Sequence, residues 1–147
     1  MPTLDDVTAL AATEHHLAVV ATVRADATVQ ASVVNAGVLP HPATGRQVLG
    51  FVTYGRVKLG NLRARPQVTV TVRHGWQWAT VEGRAELAGP DDAQPWLTGA
   101  DRLRLLLRGV FAAAGGRHDD WDEYDRVMAE QRRTIVLVEP VRVYGNG

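Results

Sequence analysis

The residues best suited to chemistry gather in the stretch YGRVKLGNLRARP at 54–66. Here Lys58, the chain's single lysine, stands between Arg56 and Asn61. Val57, Gly60, Asn61 and Ala64 recur at helical spacing, which predicts a helix over 56–65 that Pro66 stops. Lys58 and Asn61 then share one face, and Arg56 falls in the first turn. A helix start exposes free backbone N–H groups and a partial positive charge. An arginine fork and a lysine point charge at that end make a seat for a phosphate group. Spacing alone favours a solvated basic face. The seat is favoured because the lone lysine falls here and Tyr54-Gly55 leaves the backbone room ahead of the helix.

Two other pairs could line a ligand. Trp76 and Trp78 alternate on a predicted strand that leaves a turn at Gly75, and could wall a planar ring or its tail. As packing, they fill a core or a dimer interface. Gln30 and Ser32 share one strand face, either to hydrogen-bond a pyrimidine-like edge or simply to meet solvent. Ser32 is the only serine and lacks a Gly-x-Ser-x-Gly elbow. Lys58 beside Arg56 is a poor Schiff-base lysine. His15, His16, His41, His74 and His118 lack ligand spacing, and with no cysteine they make no metal site; surface and turn positions are expected for most of them. Asp119, Asp120, Asp122 and Glu123 read as helix N-terminal charge rather than a Ca²⁺ loop. Neither a Gly-x-Gly-x-x-Gly nor a phosphate-loop motif is present.

The elements that must position these residues are mostly strands. Thr3 and Asp6 form a capping box for a helix to about Thr13. Strands are predicted at 17–24, 28–35 and 47–54, with a loop at 40–45. After the 56–65 helix come strands at 67–73 and 76–87, with a possible bulge at Gly83. Leu103, Leu106, Leu107, Val110 and Phe111 predict a helix capped by Asp101 and ended by Gly115-Gly116. Asp119 or Asp120 opens another, and a strand over 133–144, interrupted at Pro140, closes the chain. Strands joined by short turns predict an antiparallel sheet that curls to hide its edges.

The 147 residues suit one domain, 1–147, with 46% apolar residues and zero formal net charge. That balance argues against a nucleic-acid partner. No apolar run spans a bilayer and no leader pattern is visible, so a cytoplasmic protein is the expectation.

Three stretches, LAVVATVRADATVQASVV, FVTYGRVKLGNLRARPQVTVTV and WATVEGRAEL, resemble the pyridoxamine-5′-phosphate-oxidase-like split β-barrel family. Within it, HDDWDEYDRVMAEQRRTIVLVEPVRVYG is similar to the F420-dependent reductases, the deazaflavin-dependent oxidoreductase B group. The resemblance covers nearly the whole chain; its most specific part is Arg56-Val-Lys58-Leu-Gly-Asn61-Leu followed by Arg65-Pro66. It implies a mainly β fold with flanking helices, a split β-barrel, and a homodimer with cofactor at the subunit interface. The implied cofactor is coenzyme F420, with FMN the alternative. The implied activity is hydride transfer to an activated C=C of a small molecule, with solvent or a nearby Tyr or Arg supplying the proton. A non-catalytic cofactor-binding protein of the same fold is the other reading. By position, Arg56 and Lys58 would hold the phosphate with Asn61 nearby. Gln30, Ser32, Val52 and Thr53 would line the ring. Trp76 and Trp78 would face the tail or substrate, from the partner subunit, and Arg133 is a further contact. Gly60 stands where relatives often carry a basic residue, which implies a looser grip on an anionic tail or recourse to arginines elsewhere.

Overall fold

The computed structural model describes residues 2–146. Its elements run α1 (Leu4–Ala12), β1 (Leu17–Val23), β2 (Val29–Asn35), β3 (Gly37–Pro40), β4 (Gln47–Thr53), α2 (Arg56–Ala64), β5 (Gln67–His74), β6 (Gln77–Ala88), α3 (Ala100–Ala113), α4 (Trp121–Glu130) and β7 (Thr134–Gly145). The strands form one antiparallel sheet in the order β2-β1-β5-β6-β7-β4-β3. β2 also approaches β4, so the sheet curls on itself.

Local chemistry explains most of these elements. At α1 the Asp6 backbone N–H donates to Thr3 Oγ1 at 3.3 Å, and the Thr3 N–H donates to Asp6 Oδ2 at 2.7 Å. This is the expected reciprocal cap, worth about 1 kcal/mol. Asp120 caps α4 by accepting from the Glu123 N–H at 3.2 Å. Asp101 does not cap α3. Gly99 (φ +91°) holds that position, and Asp101 lies one residue inside the helix, 3.6 Å from Arg104. The four-residue strand β3 was not anticipated. It is too short to show an alternating pattern.

β7 runs unbroken through Pro140, contrary to the expected interruption. The register of β6 against β7 shifts between Glu82 and Gly83, which sets Gly83 opposite Pro140. The bulge lets the ladder pass a residue with no N–H to give. β7 also explains why TIVLV reads as one apolar run: both its faces are buried. Val136 and Val138 face a core with Val20, Phe51, Val70 and Val81. Ile135 and Leu137 face a second core with Val110 and Tyr124 beneath α3 and α4.

One sheet face is apolar yet uncovered. Cross-strand partners Val19 and Val33, with Leu17 and Val29 beside them, are 45–62% exposed on β1 and β2. Among the described residues no helix is long and apolar enough to cross a membrane.

Candidate functional site

A cleft of about 960 Å³ opens between the end of β4, the start of α2, the α1–β1 junction, β2 and the α3–α4 pair. Its lining carries three cationic side chains, Lys58, Arg117 and Arg133, together with His15 and His16. Among the described residues no carboxylate lines it. The apolar walls come from Val33, Val34, Val52, Val110, Phe111 and Met128. Such a cavity suits a ligand with a flat apolar body and an anionic group.

Lys58 lies on the buried face of α2 and is only 6% exposed, so the solvated reading of this helix face does not hold for it. Its Nζ donates to Thr53 Oγ1 at 3.4 Å and stands 5.8 Å from the Phe51 ring centre. Among the described residues it has no carboxylate within 4.0 Å. Burial pushes its pKa below the usual lysine value. An ammonium withdrawn from water without a counter-charge is costly, and perturbed cations of this kind cluster at binding sites. The N-terminus of α2 adds to the field, since its cap residue Gly55 offers no side chain to the free N–H groups.

Arg133 reaches the cleft from the start of β7. Its guanidinium lies 3.8 Å from the Tyr54 ring centre, and Nε donates to Gln131 Oε1 at 2.8 Å. Burial lowers its pKa as well. Its neighbour Arg132 (φ +50°) turns the other way and pairs with Asp91 at 2.5 Å. The arginine pair is therefore split between a surface bridge and the cleft. Tyr124 presents its ring to the cleft, but its hydroxyl donates to the Leu107 carbonyl at 3.2 Å. Burial raises its pKa to about 12.

The structure thus gathers Val52, Thr53, Lys58 and Arg133 in one place, and it puts the other expected residues elsewhere. Arg56 is exposed at the start of α2, outside the lining. Asn61 is buried but turned toward the barrel, where its Nδ2 donates to Thr22 Oγ1 at 3.0 Å. Thr22 in turn donates to Gln30 Oε1 at 3.2 Å. Arg65 Nε donates to the Val23 carbonyl at 2.8 Å, so Asn61 and Arg65 brace α2 against β1. Gln30, Ser32 and Val34 share the inward face of β2, with Val34 in the cleft and Ser32 Oγ buried without a partner. Trp76 is not on the strand. It shares the two-residue turn between β5 and β6 with Gly75 (φ +60°) and is 94% exposed. Trp78 borders a separate groove against α1 and packs edge-on to Tyr144 at 6.0 Å.

Sequence reasoning missed Tyr54, Asn35, Arg117, His15 and His16 as cleft residues. The histidine pair carried no spacing signal because it sits at a helix-to-strand junction rather than on one face. His41 holds an expected turn position, its Nδ1 accepting from the Ala43 N–H at 3.0 Å, while its side chain is 10% exposed and its Nε2 meets Glu86 Oε1 at 2.6 Å. No group of metal-ligating side chains occurs among the described residues.

Comparison with solved structures places this architecture. A conserved hypothetical protein of Mycobacterium tuberculosis superposes with a TM-score of 0.68 at 17% identity, over 99% of this chain and 84% of that one. An F420 reductase matches at 25% identity with a TM-score of 0.55, over 88% of this chain and 89% of that one. A pyridoxamine 5′-phosphate oxidase-related, FMN-binding protein of Nostoc punctiforme matches at 16% identity and a TM-score of 0.55, over 89% of this chain and 74% of that one. The first and third likenesses concern the fold alone. The family model for pyridoxamine 5′-phosphate oxidase matches residues 4–146, and the chain belongs to that family.

Proposed function

We propose that this protein is an oxidoreductase that binds reduced coenzyme F420 in the cleft and passes a hydride to an activated C=C of a small conjugated molecule. The observation that carries the reading is Lys58: a buried cation without a carboxylate, at an uncapped helix start, in a cleft free of carboxylates among the described residues. A phosphoryl group supplies the missing counter-charge. The 25%-identical F420 reductase supports the choice of deazaflavin. When bound, this cofactor supplies a hydride from its ring carbon C5.

The chain's own residues bind, orient and shield. Thr53 Oγ1 accepts from both Lys58 Nζ and the Gly55 N–H, which fixes the ammonium beside the first turn of α2. Arg133, stacked on Tyr54, offers a second and planar cation. Val33, Val34 and Val52 give the ring an apolar bed that excludes water. Tyr124 is a poor proton donor, because its hydroxyl is committed to a carbonyl and ionises only near pH 12. The proton therefore comes from solvent or from another cleft group.

Val33 both lines the cleft and is 62% exposed on the uncovered β1–β2 face. A second copy seated on that face would close the cleft, and the exposed turn bearing Trp76 is then free to reach the partner's site. This supports a homodimer of single-domain chains, with the two tryptophans acting across the interface.

FMN is the second reading, favoured by the family match and by the Nostoc relative. Titrating the purified chain with F420 and FMN side by side tests both. Micromolar affinity for F420, weaker FMN binding and colourless protein are expected, followed by steady oxidation of reduced F420 with enones above a no-enzyme control. Yellow protein that retains FMN would install the second reading. Binding of both without turnover would make the chain a non-catalytic carrier. Binding of neither would end the proposal.

A further inference from the structure

At the end of the cleft formed by the α1–β1 junction, the chain builds a seat for one imidazole. His15 and His16 both hold φ +58°, a conformation that side-chain-bearing residues seldom adopt, and two in succession need outside support. That support is present. The His16 N–H donates to the Ala11 carbonyl at 2.8 Å, its carbonyl accepts from the Ala36 N–H at 2.9 Å, and the His15 carbonyl accepts from Asn35 Nδ2 at 2.8 Å. On the opposite wall Gly115 (φ +82°) lies against the ring, where a Cβ would come within 2.5 Å of His16 Cδ2. The ring so placed lines the cleft, and its Nδ1 is buried with no hydrogen-bond partner among the described residues. A buried polar atom is expected to have one.

Resting on the cofactor reading above, we infer that His16 is a ligand-contacting residue whose Nδ1 completes a hydrogen bond with the polar edge of the bound ring system. The ligand class follows from the atom. A neutral imidazole presents Nδ1 as donor or as acceptor. A pyrimidinedione edge, common to flavins and deazaflavins, offers both a carbonyl and an N–H, and so satisfies either tautomer. Lys58 and Arg133 hold the anionic part of the ligand, leaving His16 to read its uncharged, planar part. Asn35, which pins His15, thereby acts as a positioning residue.

The test uses the full chain with F420 and FMN as probes, reading dissociation constants by fluorescence and the imidazole nitrogens by ¹⁵N NMR of histidine-labelled protein. Ligand saturation is expected to shift the His16 Nδ1 resonance. His16→Phe keeps the ring's volume but removes the nitrogen, and is expected to weaken binding about 10-fold. His16→Asn replaces Nδ1 with a polar atom and tolerates positive φ, and is expected to stay within about 3-fold of the parent. A purely structural ring reverses that order, with Phe binding normally and Asn poorly, and this result would overturn the assignment. So would an unmoved Nδ1 resonance in a chain that binds the probe. Thermal melts of both variants identify any loss that is due to unfolding. If the parent chain binds neither probe, the cofactor reading falls and this inference with it. If Lys58→Met abolishes binding while His16→Phe does not, only this inference falls.

Discussion

At the scale of single residues, Lys58 sets stability against binding. Its ammonium is buried without a counter-charge among the described residues, so the ligand-free fold carries a penalty that an isosteric apolar side chain removes. Lys58→Met is expected to stabilise the ligand-free chain by about 1 kcal/mol, or about 3–5 °C in Tm by calorimetry, and to weaken F420 binding about 10- to 100-fold. The pH dependence has a definite sign. Burial depresses the folded-state pKa below 10.5, so between the two values the unfolded chain binds more protons. The penalty is therefore full at neutral pH and fades as pH rises toward 10.5, and the gain from Lys58→Met should shrink over the same window. A constant gain would mean that the ammonium is solvated. Tyr124 behaves in the opposite way. Its pKa is raised from 10.0 to about 12, so its contribution is intact below pH 10 and is lost as pH climbs toward 12. Tyr124→Phe should flatten that alkaline loss while costing about 1 kcal/mol at neutral pH, where the bond to Leu107 is made.

At the scale of elements, the cleft depends on how closely α3 can approach the sheet. A Cβ on Gly37 would stand 2.1 Å from the Ala113 carbonyl oxygen, so β3 and the end of α3 touch backbone to backbone. Gly37→Ala should push α3 away, costing about 2–3 kcal/mol in denaturant unfolding and enlarging the cleft enough to weaken ligand binding. Unchanged affinity in a folded variant would show that α3 does not set the cleft. Much of this arrangement was legible beforehand. The α1 cap, the β1–β2 and β5–β6 hairpins, the bulge at Gly83 and the α2 helix each have short-range causes written in adjacent residues. β3 was not legible, because four residues show no period. Nor was the continuity of β7, because Gly83, the residue that Pro140 faces across the register shift, is distant in sequence. The site divided along the same line. Lys58 came from a local motif and Thr53 from the family resemblance, whereas His16 enters the cleft only through contacts with Ala36 and Gly115 that no spacing rule reveals. Asn61 was read as sharing a helix face with Lys58, and both are buried, but its hydrogen bond to Thr22 was not legible because Thr22 is distant in sequence.

For the molecule as a whole, the uncovered face of β1 and β2 is the surface on which the proposed dimer rests. Leu17, Val19, Val29 and Val33 form an apolar patch next to the cleft mouth. Val19→Glu puts a charge at its centre without touching the cleft lining, and should convert a dimer to a monomer in sedimentation equilibrium. Affinity for F420 should drop with it, because the open side of the cleft then faces water. A monomeric parent chain, or a monomeric variant with undiminished affinity, would show that each cleft works alone.

With Lys58 as the one side-chain amine in the sequence, acylating reagents have a single internal target, and that target lines the cleft. Its depressed pKa leaves a larger neutral, nucleophilic fraction than a surface lysine has at the same pH. The mass that an N-hydroxysuccinimide ester adds to the peptide carrying Lys58, separated from that on the terminal amine, therefore becomes a footprint of occupancy: an anion resting on the ammonium should slow the modification, and no other lysine can blur the reading.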